Sequence, residues 1–206
     1  MAKILGAFKS GVRAGFDPLG RALVRAGVSP DVVTLIGTVG VVAASIGLVA
    51  HGRFIAATVV ITACCLLDVL DGSMARARGQ TSRFGALLDS TMDRIADGAL
   101  FAGLVWWFFA VDDRLLAVVA LVCLIGGQIV SYVKARAEGL GFTCDVGIAE
   151  RMERLIIVGV GGLFAGAGLA WGLSAALWLL AVLTVITVGQ RLVHVRRQAQ
   201  AAPSRT

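Results

Sequence analysis

Four aspartates, Asp68, Asp71, Asp89 and Asp93, fall within 26 positions of a 206-residue chain that is otherwise 58% hydrophobic. Asp68 and Asp71 are three positions apart and Asp89 and Asp93 four apart, so each pair shares one helix face. A short loop joins the two helices, which makes them antiparallel neighbours and brings all four carboxylates to one depth. Like charges so placed in a low dielectric repel strongly unless protons or cations balance them. The stretch contains no histidine or cysteine, so the ligands on offer are hard oxygens, suited to magnesium or manganese over zinc. Paired metals about 3.5–4 Å apart are a recurring device for displacement at phosphorus. Ordinary ion pairing with Arg76, Arg78, Arg83 and Arg94 is the competing account. Carboxylates at the ends of apolar runs are costly, and they usually mark function.

A second group is basic. Lys134 and Arg136 end one apolar run, Arg151 and Arg154 begin the next, and Arg191 lies near the end of the last. Taken singly, each could be a snorkelling interfacial residue. Together, at the depth of the aspartates, they suit an anionic acceptor such as a sugar phosphate.

The elements that must position these groups are transmembrane. With 16% charged residues and a mean hydropathy of +0.87, the chain is too apolar for a soluble core to hide. Six spans are expected, at 32–50, 54–71, 84–110, 114–136, 151–171 and 173–193, at roughly 20 residues per crossing. Short turns at His51-Gly52-Arg53, at Asp112-Asp113-Arg114 and at Gly172 share one side. Of 19 lysines and arginines only Arg53 and Arg114 fall there, so the termini and the loops 72–83 and 137–150 are expected in the cytoplasm. That asymmetry accounts for the net charge of +6 without nucleic acid.

Residues 1–28 read as a juxtamembrane amphipathic segment at the membrane surface, 29–195 as the six-helix domain and 196–206 as a cytoplasmic tail. The glycines from Gly159 to Gly168 recur at spacings that let helix backbones approach closely. Cys64, Cys65 and Cys123 sit in apolar runs as small hydrophobes and Cys144 in a loop, with no C-x-x-C pair.

The pattern D-x2-D-G-x2-A-R-x8-G-x3-D-x3-D, running from Asp68 to Asp93, resembles the signature of the CDP-alcohol phosphatidyltransferases at every fixed position. The resemblance implies six membrane helices, a frequent homodimer, and displacement of CMP from a CDP-linked lipid. It makes Asp68, Asp71, Asp89 and Asp93 ligands of two magnesium ions, with manganese as the substitute. Asp93 is also the base that takes the acceptor's hydroxyl proton. Gly72, Arg76 and Ser82 resemble contacts to the CDP-lipid, as does the segment Asp31, Val32, Val33 and Thr34. The glycine at 72 would let a ligand approach the backbone where helix meets loop.

The sequence from Ser131 to Glu138, and that from Glu150 to Leu155, are similar to the actinobacterial branch of the family that makes phosphatidylinositol phosphate. In that branch CDP-diacylglycerol is the donor and inositol 1-phosphate (1D-myo-inositol 3-phosphate) the acceptor. By position Lys134, Arg154 and Arg191 would grip the acceptor's phosphate, with Arg136 and Arg151 beside them. Met152 departs from the proline expected of close relatives. A phosphatidylglycerophosphate or cardiolipin-type synthase, and from another class a divalent-cation transporter, are the alternatives. Transporters place such aspartates near the midplane rather than at one surface. Asp97, one turn deeper than Asp93, is read as structural support.

Overall fold

The computed structural model describes residues 17–77 and 82–201. Most of the expected N-terminal surface helix, Arg78 and the end of the tail lie outside the described residues, as does the side chain of Arg76. Among the described residues the chain is helical and has no strand. A helical stretch at 17–25 precedes α1 (Pro30–Gly47), α2 (Phe54–Ala77), α3 (Arg83–Ala110), α4 (Arg114–Gly139), α5 (Arg151–Gly166) and α6 (Trp171–Ala201). Four stretches, Pro30–His51, Phe54–Ala75, Arg114–Gly139 and Trp171–Ala201, are long and apolar enough to cross a membrane. The other two long helices miss that standard for visible reasons. Asp89, Asp93, Arg94 and Asp97 punctuate α3, and α5 has only 16 residues.

The faces of α1 reveal what surrounds them. Its buried residues include Thr34, Gly37, Thr38, Ala44 and Ser45, whereas Val32, Leu35, Ile36, Val39 and Ile46 are exposed. A water-soluble helix buries its large apolar residues; this one presents most of them outward, burying Val33 and Val41 among small residues, as helices in lipid do. The hydroxyls on the packed face are satisfied within the helix: Thr38 donates to the Thr34 carbonyl at 3.0 Å and Ser45 to that of Val41 at 2.7 Å. Pro30 opens the helix at a position where a missing N–H costs nothing.

The chain divides into two compact units. One comprises Met1–Gly47 and Val59–Leu100, the other Leu48–Thr58 and Phe101–Thr206. In the first, Val33, Leu70 and Met74 form a buried cluster onto which Leu23, Val24, Val28 and Leu67 pack. Ser73 donates to the Asp17 carboxylate at 2.6 Å, so the helical stretch at 17–25 is bonded as well as packed. These contacts explain why α2 runs on to Ala77, past the expected end at 71. Ser73 and Met74 have partners to bury against, and Gly72 therefore lies within the helix rather than where it meets a loop.

In the second unit α6 packs against both α4 and α5. The approach of α5 to α6 is close because a Cβ on Gly161 would stand 2.6 Å from the Cβ of Ala176 and 3.1 Å from the Gly172 carbonyl. Gly172 itself was expected to mark the last turn. The turn instead falls at 167–170, where Gly168 adopts φ 90°. Gly172 lies inside α6, and a side chain there would collide with Phe164. At the start of α4, Asp113 caps the helix by accepting from the Leu116 amide at 3.0 Å.

Candidate functional site

The first unit holds a cavity of about 380 Å³ where the start of α1, the end of α2 and the start of α3 meet. Asp31 and Thr34 from α1, Asp68, Asp71 and Gly72 from α2, and Ser82, Gly85 and Asp89 from the α3 end line it. Helical periodicity splits the segment 31–34. Asp31 and Thr34 reach the cavity, Val32 is exposed to the outside, and Val33 belongs to the cluster with Leu70 and Met74.

Asp71 is the most enclosed of the acids lining the cavity, 7% exposed. Thr34 donates its hydroxyl to Asp71 Oδ2 at 2.5 Å, which fixes one carboxylate oxygen. The nearest charges acting on Asp71 are those of Asp68 and Asp89, both of its own sign. Ser82 caps α3: its Oγ accepts the Gly85 amide at 2.7 Å. A hydroxyl that accepts in this way still has its proton to donate into the cavity. Gly85, a fixed position of the sequence pattern, gains a reason here. A Cβ would lie 2.9 Å from Ser82 Oγ and 3.5 Å from Asp31 Oδ1, filling the cradle.

Asp93 sits one turn further along α3, outside the residues lining the cavity, with its Oδ2 3.8 Å from Arg94. Asp97, one turn beyond Asp93 on α3, is buried at 4% exposure. Among the described residues no three carboxylate, imidazole or thiolate groups are gathered tightly enough to hold an ion as they stand. The donor set nevertheless fits a divalent metal. Asp68, Asp71 and Asp89 are all-oxygen, share one cavity, and have like charges that a hard cation would draw together.

The second unit holds the basic set, and most of it is already engaged. Arg191 is 2% exposed. It donates from Nη1 to the Val130 carbonyl at 2.6 Å, from Nε to the Val146 carbonyl at 2.8 Å, and from Nη2 to the Glu150 carboxylate at 3.0 Å. Arg154, 1% exposed, reaches the Ala149 carbonyl at 3.4 Å. Lys134 is half-buried and meets Asp145 at 2.7 Å and Glu138 at 3.7 Å. That hydrogen bond, reinforced by the ammonium charge, holds the Asp145 carboxyl below the usual carboxylate range. Arg136 is exposed and Arg151 half-buried.

The partners of these cations were missed in the sequence. Glu138, at i+4 from Lys134, was open to discovery by helical spacing. Asp145, eleven residues on, and Glu150 lie in the segment 140–150, which has no periodicity. Their one signal is that they are acidic in an otherwise basic region. Nor did the sequence announce the clamps on that segment. Gln198 pairs with Thr143 through its amide, accepting from the Thr143 N–H at 3.0 Å and donating to its carbonyl at 2.7 Å. Thr187 Oγ1 accepts from the Ala149 amide at 3.0 Å.

Lipid-facing helices around a hard-oxygen acidic cavity, with a separate cluster of cations, make a membrane protein equipped for phosphorylated substrates. A profile of the CDP-alcohol phosphatidyltransferases matches residues 27–189, and the chain belongs to that family. It is 50% identical over 182 residues to a phosphatidylinositol phosphate synthase of Mycobacteroides abscessus, covering 87% of this chain and 83% of that one. To the corresponding synthase of Streptomyces avermitilis it is 46% identical over 197 residues, covering 92% and 81%. The crystal structure of the Mycobacterium tuberculosis phosphatidylinositol phosphate synthase with CDP-DAG bound matches with a TM-score of 0.83 at 48% identity, covering 87% of this chain and 92% of that one. The same enzyme in complex with manganese and citrate matches with a TM-score of 0.82, covering 87% and 88%.

Proposed function

We propose that the chain transfers the phosphatidyl group of CDP-diacylglycerol to inositol 1-phosphate (1D-myo-inositol 3-phosphate), releasing CMP and leaving phosphatidylinositol phosphate in the membrane. The observation that carries this reading is the 50% identity to a synthase of that name over 87% of the chain. The acidic cavity and the basic set are what such a reaction requires.

Asp68, Asp71, Asp89 and Asp93 would hold the metal, with two magnesium ions as the proposed complement. When bound, divalent metal neutralises the diphosphate and stabilises CMP as the leaving group. The chain's own residues do the rest. Thr34 keeps Asp71 oriented. Ser82, Arg76, Asp31 and the backbone at Gly72 contact the CDP portion, and Gly85 keeps the cradle open. Asp93 accepts the proton of the attacking hydroxyl as its oxygen bonds to the lipid-side phosphorus and the bond to CMP breaks. Direct attack needs no further nucleophile. Lys134, Arg154 and Arg191 take the acceptor's phosphate, and Arg191 also holds the backbone at Val146 beside it.

The same reading puts six helices across the membrane of a bacterial cell. At 1.5 Å per residue, α3 is about 42 Å long and α5 about 24 Å, within reach of a tilted and a short span respectively. The bias of 17 of 19 basic residues to one side supports a cytoplasmic site and cytoplasmic termini. The resemblance to the family supports a homodimer.

The test is CMP release by the purified protein with CDP-diacylglycerol and magnesium, supplied with inositol phosphate or with glycerol phosphate. Release with inositol phosphate, lost in Asp93→Asn, is expected. Release with glycerol phosphate alone would keep the enzyme class and discard this acceptor.

A further inference from the structure

We propose that Asp145 is a built-in competitor for the acceptor's phosphate: its carboxylate holds Lys134, the most exposed of the three cations expected to take that phosphate. The proposal rests on the phosphate-acceptor reading above.

The three predicted phosphate ligands differ in what they have left to give. Arg191 has each guanidinium nitrogen bonded to the protein, two of them to main-chain carbonyls, and it is 2% exposed. Arg154 is buried still more deeply. Lys134 is different. Its side chain is 35% exposed and its close partner, Asp145, is 79% exposed. A lysine ammonium is also a rotatable point charge, and its donors re-aim without loss of geometry.

The backbone on either side of Asp145 is fixed. Gln198 holds Thr143, Arg191 holds Val146, and Thr187 holds Ala149. Asp145 is therefore presented to Lys134 by a pinned main chain, and rotation of its own side chain is enough to release it. Its charged neighbours are Lys134, Arg191 and His194; Glu138 and Glu150 also act on Lys134. A phosphate arriving at Lys134 must break the 2.7 Å bond and then sit beside a carboxylate of like charge. Both effects weaken acceptor binding, and neither touches the donor lipid.

The experiment measures KM for inositol phosphate and inhibition by inorganic phosphate in wild type, Asp145→Asn, Lys134→Met and the double variant. Asp145→Asn is expected to lower KM and strengthen inhibition by phosphate about two- to fivefold, the range of an exposed ion pair. The apparent KM for CDP-diacylglycerol should stay unchanged. In the Lys134→Met background the gain should disappear, which separates competition for Lys134 from a general loosening of the segment. An unchanged or raised KM, or a gain that persists without Lys134, would overturn the proposal. If wild type releases CMP only with glycerol phosphate, the acceptor assignment fails instead, and the same four variants test Asp145 against that acceptor.

Discussion

The two units treat charge in opposite ways. In the first, the groups that reach Asp71 are neutral donors, the Thr34 hydroxyl and the Gly72 amide, while the nearest charges, Asp68 and Asp89, share its sign. In the second, the buried cation Arg191 has three of its five N–H donors engaged by carbonyls and a carboxylate of its own chain. Like charges gathered in one cavity repel, and a cation from outside relieves that repulsion. A buried guanidinium with three acceptors holds the segment it touches and keeps two N–H donors for a ligand. The acidic cavity is therefore read as the place where ligands decide activity, and the basic set as a partly engaged site whose most exposed member is Lys134.

The largest effects should come from the acidic side. Asp93→Asn is expected to lower kcat by about 10²–10⁴, the range for a lost general base, with little change in the thermal midpoint. Chelation of divalent metal should abolish CMP release, and magnesium or manganese should restore it. If Asp93→Asn unfolds the protein instead, the contrast between a ligand-dependent and a self-satisfied region fails at its strongest point.

Arg191→Leu should do the reverse. Two buried carbonyls, those of Val130 and Val146, lose a charged donor, at a cost of about 2–4 kcal/mol in stability. The expected result is a lower midpoint, measured by thermal denaturation in detergent, together with a raised acceptor KM in the protein that stays folded. A lower midpoint with acceptor KM unchanged would confine Arg191 to holding the segment 140–150 and sharpen the comparison the other way.

How much of this was legible depended on periodicity. The acidic residues sit at helical spacings on either side of a short loop, so their gathering into one region followed from geometry alone. Asp31 and Thr34 reach the cavity while Val32 and Val33 do not, and a three-residue repeat predicts that division once the helix is granted. The extent of α2 was not legible, because what carries it past Asp71 is the burial of Ser73 and Met74 against residues some 50 positions earlier. Gly172 looked like a turn but serves packing, and Gly168 took the turn. A glycine in sequence does not say whether it is there for its φ or for its missing side chain. The counter-ions in 140–150 were the least visible, since a segment without a repeat offers no spacing to read.

Thr34→Val tests the acidic side more finely. It keeps shape and removes the hydroxyl that orients Asp71 from outside the ligand set. Loss of such an orienting bond typically costs about 10–100-fold in metal affinity or activity. The concentration of magnesium giving half-maximal CMP release should rise by that order, while kcat at saturating metal recovers. Failure to recover would mean that Thr34 acts on the substrate itself.

The smallest expected effect is also the most discriminating for the basic side. Gln198→Ala removes the amide that pairs with Thr143 and leaves every cation in place. The pairing is exposed, so its loss should cost about 1 kcal/mol or less in stability. If the pinned backbone is what presents Asp145 to Lys134, freeing one end lets the carboxylate spend less time on the ammonium. Acceptor KM should then fall slightly, in the same direction as Asp145→Asn but by a smaller factor, and combining the two should add nothing. A rise in KM would mean that the segment positions Lys134 for the acceptor rather than shielding it, and that the second unit is a preformed phosphate site after all.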